Sequence, residues 1–537
     1  MSEKRRSFIY LPIAFALVLI LGIVLGYYLL RVSFVLNHPL LKMGSKGGSI
    51  PELIRYIDQN YVDTVNPENL QKEAIDGMLL SLDPHSQYIP ASEFHDANDP
   101  LMGNFDGIGV QFRIEHDTIV VINTVSGGPS EKLGILAGDR IVKVDDKNVA
   151  NIKITNEMVM KKLKGPKGTK VKVGIFRKGL KKLIDFTITR DVIPTWSIDV
   201  SYAVSKNTGY IKLSKFSATT HDELVESMKK LKKEGVNKLI LDLRENSGGY
   251  LNEAIAVADE FLPADKLIVY TKGLHRPKQV ATSTSEGEWD NLPVVVLINE
   301  NSASASEIVA GAIQDNDRGE IIGRRSFGKG LVQEQINLSD GSALRLTVAR
   351  YYTPTGRCIQ KPYTKGADDY YMEYYHRYED GELERADSIK MVDSLKFKTP
   401  KGKIVYGGGG IMPDIFIPIE KGPNFKFFNE TFRKGLLYQF AFDYTDQHRQ
   451  ELKKLGDFNA FDRKFTVTPA IYSEFVAYTG KNGISSKPEE VKASTPYISD
   501  LIKAYVARNL FDDKGFYPIY LRTDKGFQRA VQELSKK

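Results

Sequence analysis

The spacing of apolar residues changes along the chain and predicts different kinds of folded region. Residues 45–97 carry apolar side chains at helical spacing, as in Leu53, Ile57 and Tyr61, and this pattern predicts a small helical module. Residues 98–191 instead show short alternating runs separated by glycines, which predict a mostly β domain. Its predicted strands include residues 118–121, 140–144 and 170–176, with one helix at 156–163.

The chain beyond residue 191 is predicted to be α/β and then helical. Residues 192–425 alternate strand-like apolar runs with helical stretches, and this alternation predicts a sheet covered by helices. Residues 426–537 show helical periodicity and no visible chemistry. The predicted strands of the α/β region are 209–213, 238–243, 267–270, 294–299 and 343–349, and its predicted helices are 222–234, 252–261 and 304–314.

The composition is that of a multidomain globular protein. A chain of 537 residues is too long for one ordinary domain, and 42% hydrophobic with 26% charged residues is typical of folded proteins. The net charge of +7 is small for this length and the basic residues are scattered, so no nucleic-acid partner is predicted. The single cysteine, Cys358, excludes an intrachain disulfide framework. The histidines lack metal-ligand spacing, so we predict neither a metal nor another cofactor.

The first thirty residues predict a membrane anchor. Lys4, Arg5 and Arg6 precede residues 8–30, an uncharged stretch of 23 residues that is long enough to span a bilayer. A cleavable signal peptide has a shorter apolar core and a small-x-small cleavage site, and neither is evident here. We therefore predict an uncleaved signal anchor, with residues 1–7 in the cytoplasm and the body of the protein exported.

Three residues, Ser304, Lys329 and Gln333, carry the clearest chemical signal. A serine hydroxyl becomes a nucleophile when a nearby base takes its proton, and a lysine held neutral by burial can be that base. Gln333 follows Lys329 by four residues, so the two side chains share a face in a helix or in a strand. The amide can then orient the lysine. This pattern predicts a serine–lysine hydrolase.

Ser304 also has a structural interpretation. With Glu307 it fits the capping box, in which the serine caps a helix and the glutamate bonds back to it. The preceding strand-like run, the small neighbouring residues and the favourable field at a helix N-terminus favour a nucleophile instead. The residues alone leave both interpretations open.

Lys329 has two alternative interpretations. A lysine between two glycines is most often a solvated turn residue. Residues 323–329 also match most of a phosphate-binding P-loop and follow a strand-like segment. Position 330 is glycine, however, so the Ser or Thr that would hold magnesium is missing, and this argues against nucleotide binding.

Paired glycines after the predicted strand at 238–243 are candidates for an oxyanion hole. Gly248 or Gly249 allows a backbone N–H to point at a developing oxyanion, with the N–H of Ala305 as its partner. The alternative is an ordinary strand-to-helix turn.

The β domain opens with Gly107, Ile108, Gly109 and Val110. A glycine-containing loop before an edge strand can hold a peptide's terminal carboxylate on backbone N–H groups while the peptide pairs as an added strand. The alternative is a hairpin without a ligand. The isolated histidines, His85 among them, show no recognisable offset from a partner acid, so a Ser-His-Asp triad is not supported.

Together these motifs resemble those of the bacterial carboxyl-terminal processing peptidases, tail-specific proteases that carry a PDZ domain. The resemblance covers roughly residues 45–425. It depends on residues 82–86, 107–110, 242–244, the segment around Ser304, 328–330 and 407–414. Each motif is weak alone, but their combination and order are specific.

The resemblance implies roles for individual residues. Ser304 would be the nucleophile, Lys329 the general base and Gln333 its orienting partner. The oxyanion donors map onto Ala305 and one of the paired glycines. The implied fold is an α+β multidomain chain: a crotonase-like α/β protease core with an inserted PDZ-like β domain, flanked by helical N- and C-terminal regions and the transmembrane helix.

The resemblance also implies an activity, partners and a location. The implied domains are a cytoplasmic N-terminus (1–7), a transmembrane signal anchor (8–30), a helical module (45–97), a PDZ-like domain (98–191), a serine peptidase core (192–425) and a C-terminal helical extension (426–537). The implied activity is that of a serine endopeptidase that recognises free C-termini of exported polypeptides and cleaves or degrades them. A catalytically inactive, membrane-anchored PDZ adaptor is the alternative. The body would lie in the periplasm beside the inner membrane, and a homo-oligomer or an activating adaptor stays open.

Overall fold

The structure is a computed structural model that describes residues 16, 18–28, 49–419 and 425–536. The chain divides into two compact units, Met1–Leu82 and Asp83–Lys537. Much of the predicted anchor at 8–30 lies outside the described residues, and residues 18–28 are helical. Within the described ranges, no helix is both long enough and apolar enough to cross a membrane.

The first unit contains helices α1 (Ser49–Asn60) and α2 (Pro67–Leu80). A proline opens α2, where its missing N–H costs nothing. The side chain of Asn66 caps this helix by accepting the backbone N–H groups of Glu68 and Asn69. The predicted helical character of this part of the chain is therefore confirmed.

The second unit begins with a short strand and a helix that lead into the β domain. These elements are β1 (Gln87–Ile89), a 3-10 turn (Ala91–Glu93) and α3 (Phe94–Met102). Gly103 ends α3 with a φ of +75°, a left-handed conformation in which glycine carries no steric penalty.

One antiparallel sheet forms the β domain. Its elements are β2 (Asn104–Gly107), β3 (Val110–Glu115), β4 (Thr118–Thr124), α4 (Pro129–Lys132), β5 (Arg140–Val144), β6 (Lys147–Asn148), α5 (Asn156–Leu163), β7 (Lys170–Phe176), β8 (Ile184–Thr189) and β9 (Asp191–Pro194). The sheet order is β3-β4-β5-β7-β8, with β6 paired to β5. A separate ladder of β2 and β9 joins the points where the chain enters and leaves the domain. Ile119, Ile141 and Val159 lie in its apolar core.

A mixed sheet and a second, antiparallel sheet form the α/β region. The elements are β10 (Ile198–Ala203), β11 (Thr208–Leu213), α6 (Thr220–Lys233), β12 (Lys238–Asp242), α7 (Leu251–Asp259), β13 (Leu267–Lys272), β14 (Gln279–Thr282), β15 (Val294–Ile298), α8 (Ala305–Asp315), β16 (Glu320–Gly323), β17 (Leu331–Asn337), β18 (Ala343–Tyr352), α9 (Ala367–Glu379), 3-10 turns at Ala386–Ser388 and Asp393–Leu395, β19 (Lys396–Lys398), β20 (Ile404–Tyr406) and β21 (Ile415–Phe416). The central sheet has the order β10-β11-β12-β15-β16-β21, and its strands from β11 onward are parallel. The second sheet has the order β1-β18-β13-β14, with β17 also paired to β18.

Within residues 425–536, seven helices form the C-terminal region. They are α10 (Lys426–Arg433), α11 (Leu436–Lys453), α12 (Phe458–Lys464), α13 (Pro469–Lys481), α14 (Pro488–Phe511), α15 (Asp513–Tyr520) and α16 (Lys525–Ser535). An aromatic-rich core that includes Phe427, Phe461 and Phe475 holds most of these helices together. The predicted helical periodicity is confirmed here as well.

Both faces of the central sheet are buried, but by different parts of the chain. Leu241 and Val296 belong to the apolar cluster formed with α6, α7 and α8. Their sequence neighbours Ile240 and Leu297 point the other way and pack with residues of α16, among them Leu534. The predicted sheet covered by helices is therefore found, and its second cover comes from the end of the chain.

The C-terminal region also packs against the β domain. Tyr438 and Phe442 of α11 form an apolar cluster with Val120 of β4. The guanidinium of Arg113 lies 3.6 Å from the centre of the Tyr438 ring, a cation–π contact. The C-terminal helices therefore contact both the α/β region and the β domain.

Candidate active site

A cavity of about 470 Å³ contains all three residues of the predicted catalytic set. Ser304, Lys329 and Gln333 line it. Apolar side chains complete much of its wall: Leu101, Leu251, Ile308, Leu331 and Val332. The fold therefore brings together a hydroxyl, an amine and an amide beside a partly apolar pocket.

Ser304 lies at the start of α8, after the loop that leaves β15. Its backbone has a φ of +53° and a ψ of −111°, a strained conformation for a residue with a side chain. Ser304 is the N-cap residue of α8, and the carboxylate of Glu307 bonds back to its N–H as in a capping box. The N–H of Glu307 bonds to the backbone carbonyl of Ser304 at 2.9 Å, however, and among the described residues the Ser304 side chain makes no capping hydrogen bond, so the structural interpretation holds only in part. Because Ser304 also lines the cavity, its capping role is compatible with a chemical one.

Glu307 joins the serine loop to the lysine loop. Its fully buried carboxylate accepts the N–H of Ser304 at 2.8 Å. On the other side it accepts the N–H groups of Gly328 (2.7 Å) and Lys329 (2.9 Å) and the hydroxyl of Ser326 (2.5 Å). Burial raises the pKa of this carboxyl, and the four donors oppose that rise. Because these loop N–H groups bind a carboxylate, they are not offered to a phosphate, which argues further against a P-loop.

Lys329 is largely buried, and its amine donates to Gln333. The distance from Nζ to Oε1 is 3.2 Å, the pairing that their four-residue spacing predicts. Burial is the main reason that the pKa of Lys329 lies below its ordinary value of 10.5. The charge of Arg345 adds to this lowering, whereas Glu307 and Asp83 oppose it. A lowered pKa gives more neutral amine at a given pH, as a general base requires.

Close packing explains the two glycines beside Lys329. Gly328 has a φ of +89°, and a Cβ there would lie 3.1 Å from the backbone nitrogen of Gly410. A Cβ on Gly330 would lie only 2.8 Å from the backbone nitrogen of Gln360. The loop that carries Lys329 therefore packs closely against neighbouring backbone, which argues against the interpretation of Lys329 as a solvated turn residue.

The predicted oxyanion donors differ in their hydrogen bonding. The N–H of Gly248 donates to Oδ1 of Asn246 at 2.9 Å. Among the described residues, the N–H groups of Ala305 and Gly249 donate to no acceptor. A Cβ on Gly248 would lie 2.9 Å from the Cβ of Ser304, so the glycine loop packs directly on the serine loop. The N–H of Gly248 is thus engaged, which leaves Ala305 and Gly249 as the candidates.

A buried charge network holds the loop that carries the paired glycines. Asp242, at the end of β12, pairs with Arg244 at 2.6 Å and with Lys212 at 3.5 Å. Burial acts to raise the pKa of Asp242, but these two cations hold it well below its usual range. Arg244 also pairs at 2.7 Å with Asp524 of the C-terminal region. An ion pair therefore joins the C-terminal region to the start of the loop that carries the paired glycines.

The predicted peptide-binding residues lie in the β domain, apart from the cavity-lining residues. Gly107 ends β2, and Val110 begins β3, the edge strand of its sheet. Gly109 has a φ of +72°, and the carbonyl of Ile108 accepts the N–H of Ser130 at 3.2 Å. An edge strand can pair with an added peptide strand. Peptide binding at these four residues stays a prediction.

His85 is the contact that sequence reasoning missed. Its backbone carbonyl accepts Nε2 of Gln333, and its imidazole Nε2 lies 2.8 Å from the hydroxyl of Tyr370. These partners are 248 and 285 positions away in the chain. No local spacing carries a signal for contacts of that range.

Three domain families match the chain. The model of peptidase family S41 matches residues 207–368, that of the PDZ domain matches residues 107–188, and a family of unknown function matches residues 427–512. The S41 match contains Ser304, Lys329 and Gln333, and the PDZ match covers most of the β domain.

Similar proteins include named proteases. The chain is 41% identical over 324 residues to the carboxy-terminal-processing protease of Bartonella bacilliformis, covering 59% of this chain and 73% of that protein. It is 34% identical over 352 residues to the carboxy-terminal processing protease CtpA of Bacillus subtilis, covering 65% and 74%. A solved photosystem II D1 C-terminal processing protease is 26% identical, with 70% of this chain and 93% of that chain covered and a TM-score of 0.35. The chain belongs to the carboxy-terminal processing proteases, serine proteases of peptidase family S41 that here carry a PDZ domain.

Proposed function

We propose that the protein is an endopeptidase in which Ser304 is the nucleophile, Lys329 the general base and Gln333 the residue that orients the base. The observation that carries this proposal is the part-buried hydrogen bond from Lys329 Nζ to Gln333 Oε1 in the cavity that Ser304 also lines. A hydroxyl without a base is a poor nucleophile, and this site pairs one with a desolvated amine.

The chemistry would follow from the protonation state of Lys329. A neutral amine that donates one hydrogen to Gln333 keeps its lone pair for the hydroxyl proton of Ser304. As that proton moves to Nζ, Oγ bonds to the scissile carbonyl carbon. The resulting ammonium then protonates the leaving amine, and water releases the acyl group from the serine by the same two proton transfers.

The developing oxyanion would be stabilised by backbone donors. Ala305 directly follows the nucleophile and has an uncommitted N–H among the described residues, as does Gly249 in the loop packed against it. Gly248 would contribute its small size to this packing and not its N–H, because Asn246 accepts that N–H.

We further propose that the substrates are exported polypeptides with free C-termini. The support is the edge position of β3 behind the Gly107–Val110 turn, where a terminal carboxylate and an added strand could both be bound. The uncharged stretch at residues 8–30 would tether the enzyme to the inner membrane, with its body in the periplasm. An inactive PDZ adaptor would have no need for a desolvated lysine beside a serine.

Digestion of unfolded proteins by a soluble fragment that lacks residues 1–48 tests the mechanism. We expect Ser304→Ala to abolish turnover and Lys329→Ala to lower kcat by at least about 10²–10⁴-fold. Lys329→Arg should also be inactive, because guanidinium stays protonated. The rate of the wild type should rise with pH as Lys329 loses its proton, in a range below 10.5. Undiminished turnover by folded Ser304→Ala would refute the serine mechanism.

Substrate choice needs a separate comparison. One unfolded substrate is offered with its C-terminus free, amidated or extended by a charged tail. Faster cleavage of the free form, lost when Gly109 is replaced by a bulky residue, is the expected result. Equal rates for all three forms would contradict C-terminal recognition through the β domain.

A further inference from the structure

The orientation of the Gln333 amide decides whether Lys329 can act as a base. An amide offers an acceptor oxygen on one side and a donor NH2 on the other. With the oxygen toward Lys329, as in this structure, the amine donates a hydrogen and keeps its lone pair. With the amide reversed, its NH2 would face the amine and take up that lone pair. Something must therefore hold the amide in one of two orientations of similar shape.

The backbone carbonyl of His85 distinguishes these orientations. It accepts Nε2 of Gln333. A carbonyl can only accept, so the NH2 group must face His85 and the oxygen must face Lys329. The orientation of the amide thus depends on the position of a single carbonyl from a distant loop.

We propose that His85 is a positioning residue for the catalytic base: its carbonyl selects the productive orientation of Gln333, and the hydrogen bond between its imidazole and Tyr370 holds that carbonyl in place. This inference rests on the proposed roles of Lys329 and Gln333. It assigns a function to a histidine whose hydrogen bonds among the described residues do not include Ser304.

The loop around His85 is fixed from its own side. The buried carboxylate of Asp83 accepts the backbone N–H groups of His85 (2.8 Å) and Ser86 (2.8 Å), and also the hydroxyl of Ser86 (2.6 Å). The Ser86 hydroxyl oxygen in turn accepts the N–H of Thr347 at 3.1 Å. Thr347 pairs with Gln333 across β17 and β18, so the loop is anchored beside the residue that it orients.

The tyrosine-rich helix α9 holds the loop from the other side. The hydroxyl of buried Tyr370 lies 2.8 Å from Nε2 of His85, and the two rings meet edge to face with centroids 5.2 Å apart. The hydroxyl of Tyr371 donates to the carbonyl of Pro84 at 2.7 Å. Consecutive tyrosines therefore fix consecutive residues of the loop.

The electrostatics keep the imidazole neutral. Burial lowers the pKa of His85 to about 3, with Lys329 and Lys361 acting in the same direction and Asp83 against them. A neutral imidazole places no positive charge near Lys329, where such a charge would lower the pKa of the amine further. The other charged groups that act on Lys329 are Glu307 and Asp83, which raise the pKa of its amine, and Arg345, which lowers it.

The test removes the imidazole bond without removing a ring. Tyr370→Phe deletes one hydroxyl, and His85→Phe keeps an aromatic ring without its nitrogens. Each is compared, in the full-length protein solubilised in detergent, with Tyr375→Phe, which alters an exposed tyrosine of the same helix. The measurements are kcat and KM between pH 5 and pH 10, beside a thermal midpoint for each variant.

We expect a lower kcat, by about 5- to 100-fold, with little change in KM, because the base is misplaced and the substrate pocket is not. The rise of kcat with pH should also move to lower pH, by about 0.5–1.5 pH units. The reason is that an accepting amide oxygen favours the charged lysine, and its loss favours the neutral one. The double variant should equal Tyr370→Phe, because both single variants remove the hydrogen bond between His85 and Tyr370, and only Tyr370→Phe also removes the longer contact of 3.5 Å from Gln360 Nε2 to the Tyr370 hydroxyl. Tyr375→Phe should match the wild type.

An unshifted rise of kcat with pH in both single variants, with thermal midpoints near the wild type, would overturn the role of His85, whatever their plateau rates. Additive effects in the double variant would do the same. Should either variant unfold at the assay temperature, His85→Gln replaces it, because its amide can still bond to Tyr370. A pH–rate profile and a kcat near those of the wild type would support the inference. A wild-type pH dependence with a low kcat would refute it. Failure of the proposed mechanism would look different, as turnover that survives in Ser304→Ala.

Discussion

The two faces of the central sheet are equally buried but are covered in different ways. One face packs against α6, α7 and α8, which are connected directly to the strands that they cover. The other packs against α16, more than 200 residues after β16. Leu241 and Leu297 lie on opposite faces, and both are fully buried. The C-terminal region is therefore part of the protease core, although it follows the core strands by more than 200 residues.

The proposed catalytic residues depend on both faces. Ser304 opens α8, a helix of the first face. Asp242 and Arg244, which hold the paired-glycine loop, are tied through Asp524 to the start of α16 on the second face. The candidate active site therefore lies at the end of the sheet where the loops of both faces meet.

Deletion of residues 525–537 should have the largest effect. It would expose Ile240, Val295, Leu297 and Ile322 on the second face. Burial of each such side chain contributes about 1.5–3 kcal/mol, so the sum approaches a typical total stability of about 5–15 kcal/mol. We expect an insoluble or unfolded product without activity, measured by soluble yield and circular dichroism. Lys536→Ala, at the exposed end of the same helix, is the control. A soluble, active deletion variant would show that this cover is dispensable.

A matched pair of leucines compares the two faces directly. Leu241→Ala and Leu297→Ala each open a cavity in a fully buried site, and each should lower the free energy of unfolding by about 2–5 kcal/mol. Similar losses in denaturant unfolding would confirm that both covers belong to one cooperative core. A loss below about 1 kcal/mol for Leu297→Ala alone would mean that the second cover detaches before the sheet unfolds.

The alternation of apolar runs with helical stretches predicts a sheet covered by helices but not the identity of the second cover. The predicted strands at 140–144 and 170–176 and the helix at 156–163 match the structure, because their periodicity is local. The helical character of the C-terminal region is predicted correctly for the same reason. Its position on Ile240 and Leu297 is not, since any amphipathic helix could cover an apolar face.

The same limit separates the predicted part of the active site from the rest. Residue chemistry and a four-residue spacing predict Ser304, Lys329 and Gln333, and the structure brings all three to one cavity. The bonds from Glu307 to the lysine loop and from Gln333 to His85 are long-range contacts. They depend on how distant loops meet, which local patterns do not encode.

Asp524→Asn tests the link between the second cover and the catalytic loop. Its Oδ2 pairs with Arg244 at 2.7 Å, and its Oδ1 caps α16 by accepting the N–H of Phe527 at 2.7 Å. Asparagine keeps the cap and removes the charge, so the expected loss is about 1–2 kcal/mol. Asp524→Ala should lose about 1 kcal/mol more, because the cap is lost too. Equal stability of the asparagine variant and the wild type would show that Asp242 alone satisfies Arg244.

The smallest expected effect concerns Asp446 of α11, where the C-terminal region meets the β domain. Its carboxylate pairs with Arg140 at 3.3 Å and with Lys178 at 3.6 Å, and both cations belong to that domain. Partly exposed ion pairs contribute about 0–1 kcal/mol and weaken in salt, so Asp446→Asn should lower the stability of the β domain by less than 1 kcal/mol. A double-mutant cycle with Arg140→Gln at low and high salt measures the coupling. Coupling that exceeds 1 kcal/mol or persists in high salt would mean that the domain contact is as firmly built as the sheet face, and the contrast between the core contact and this one would be lost.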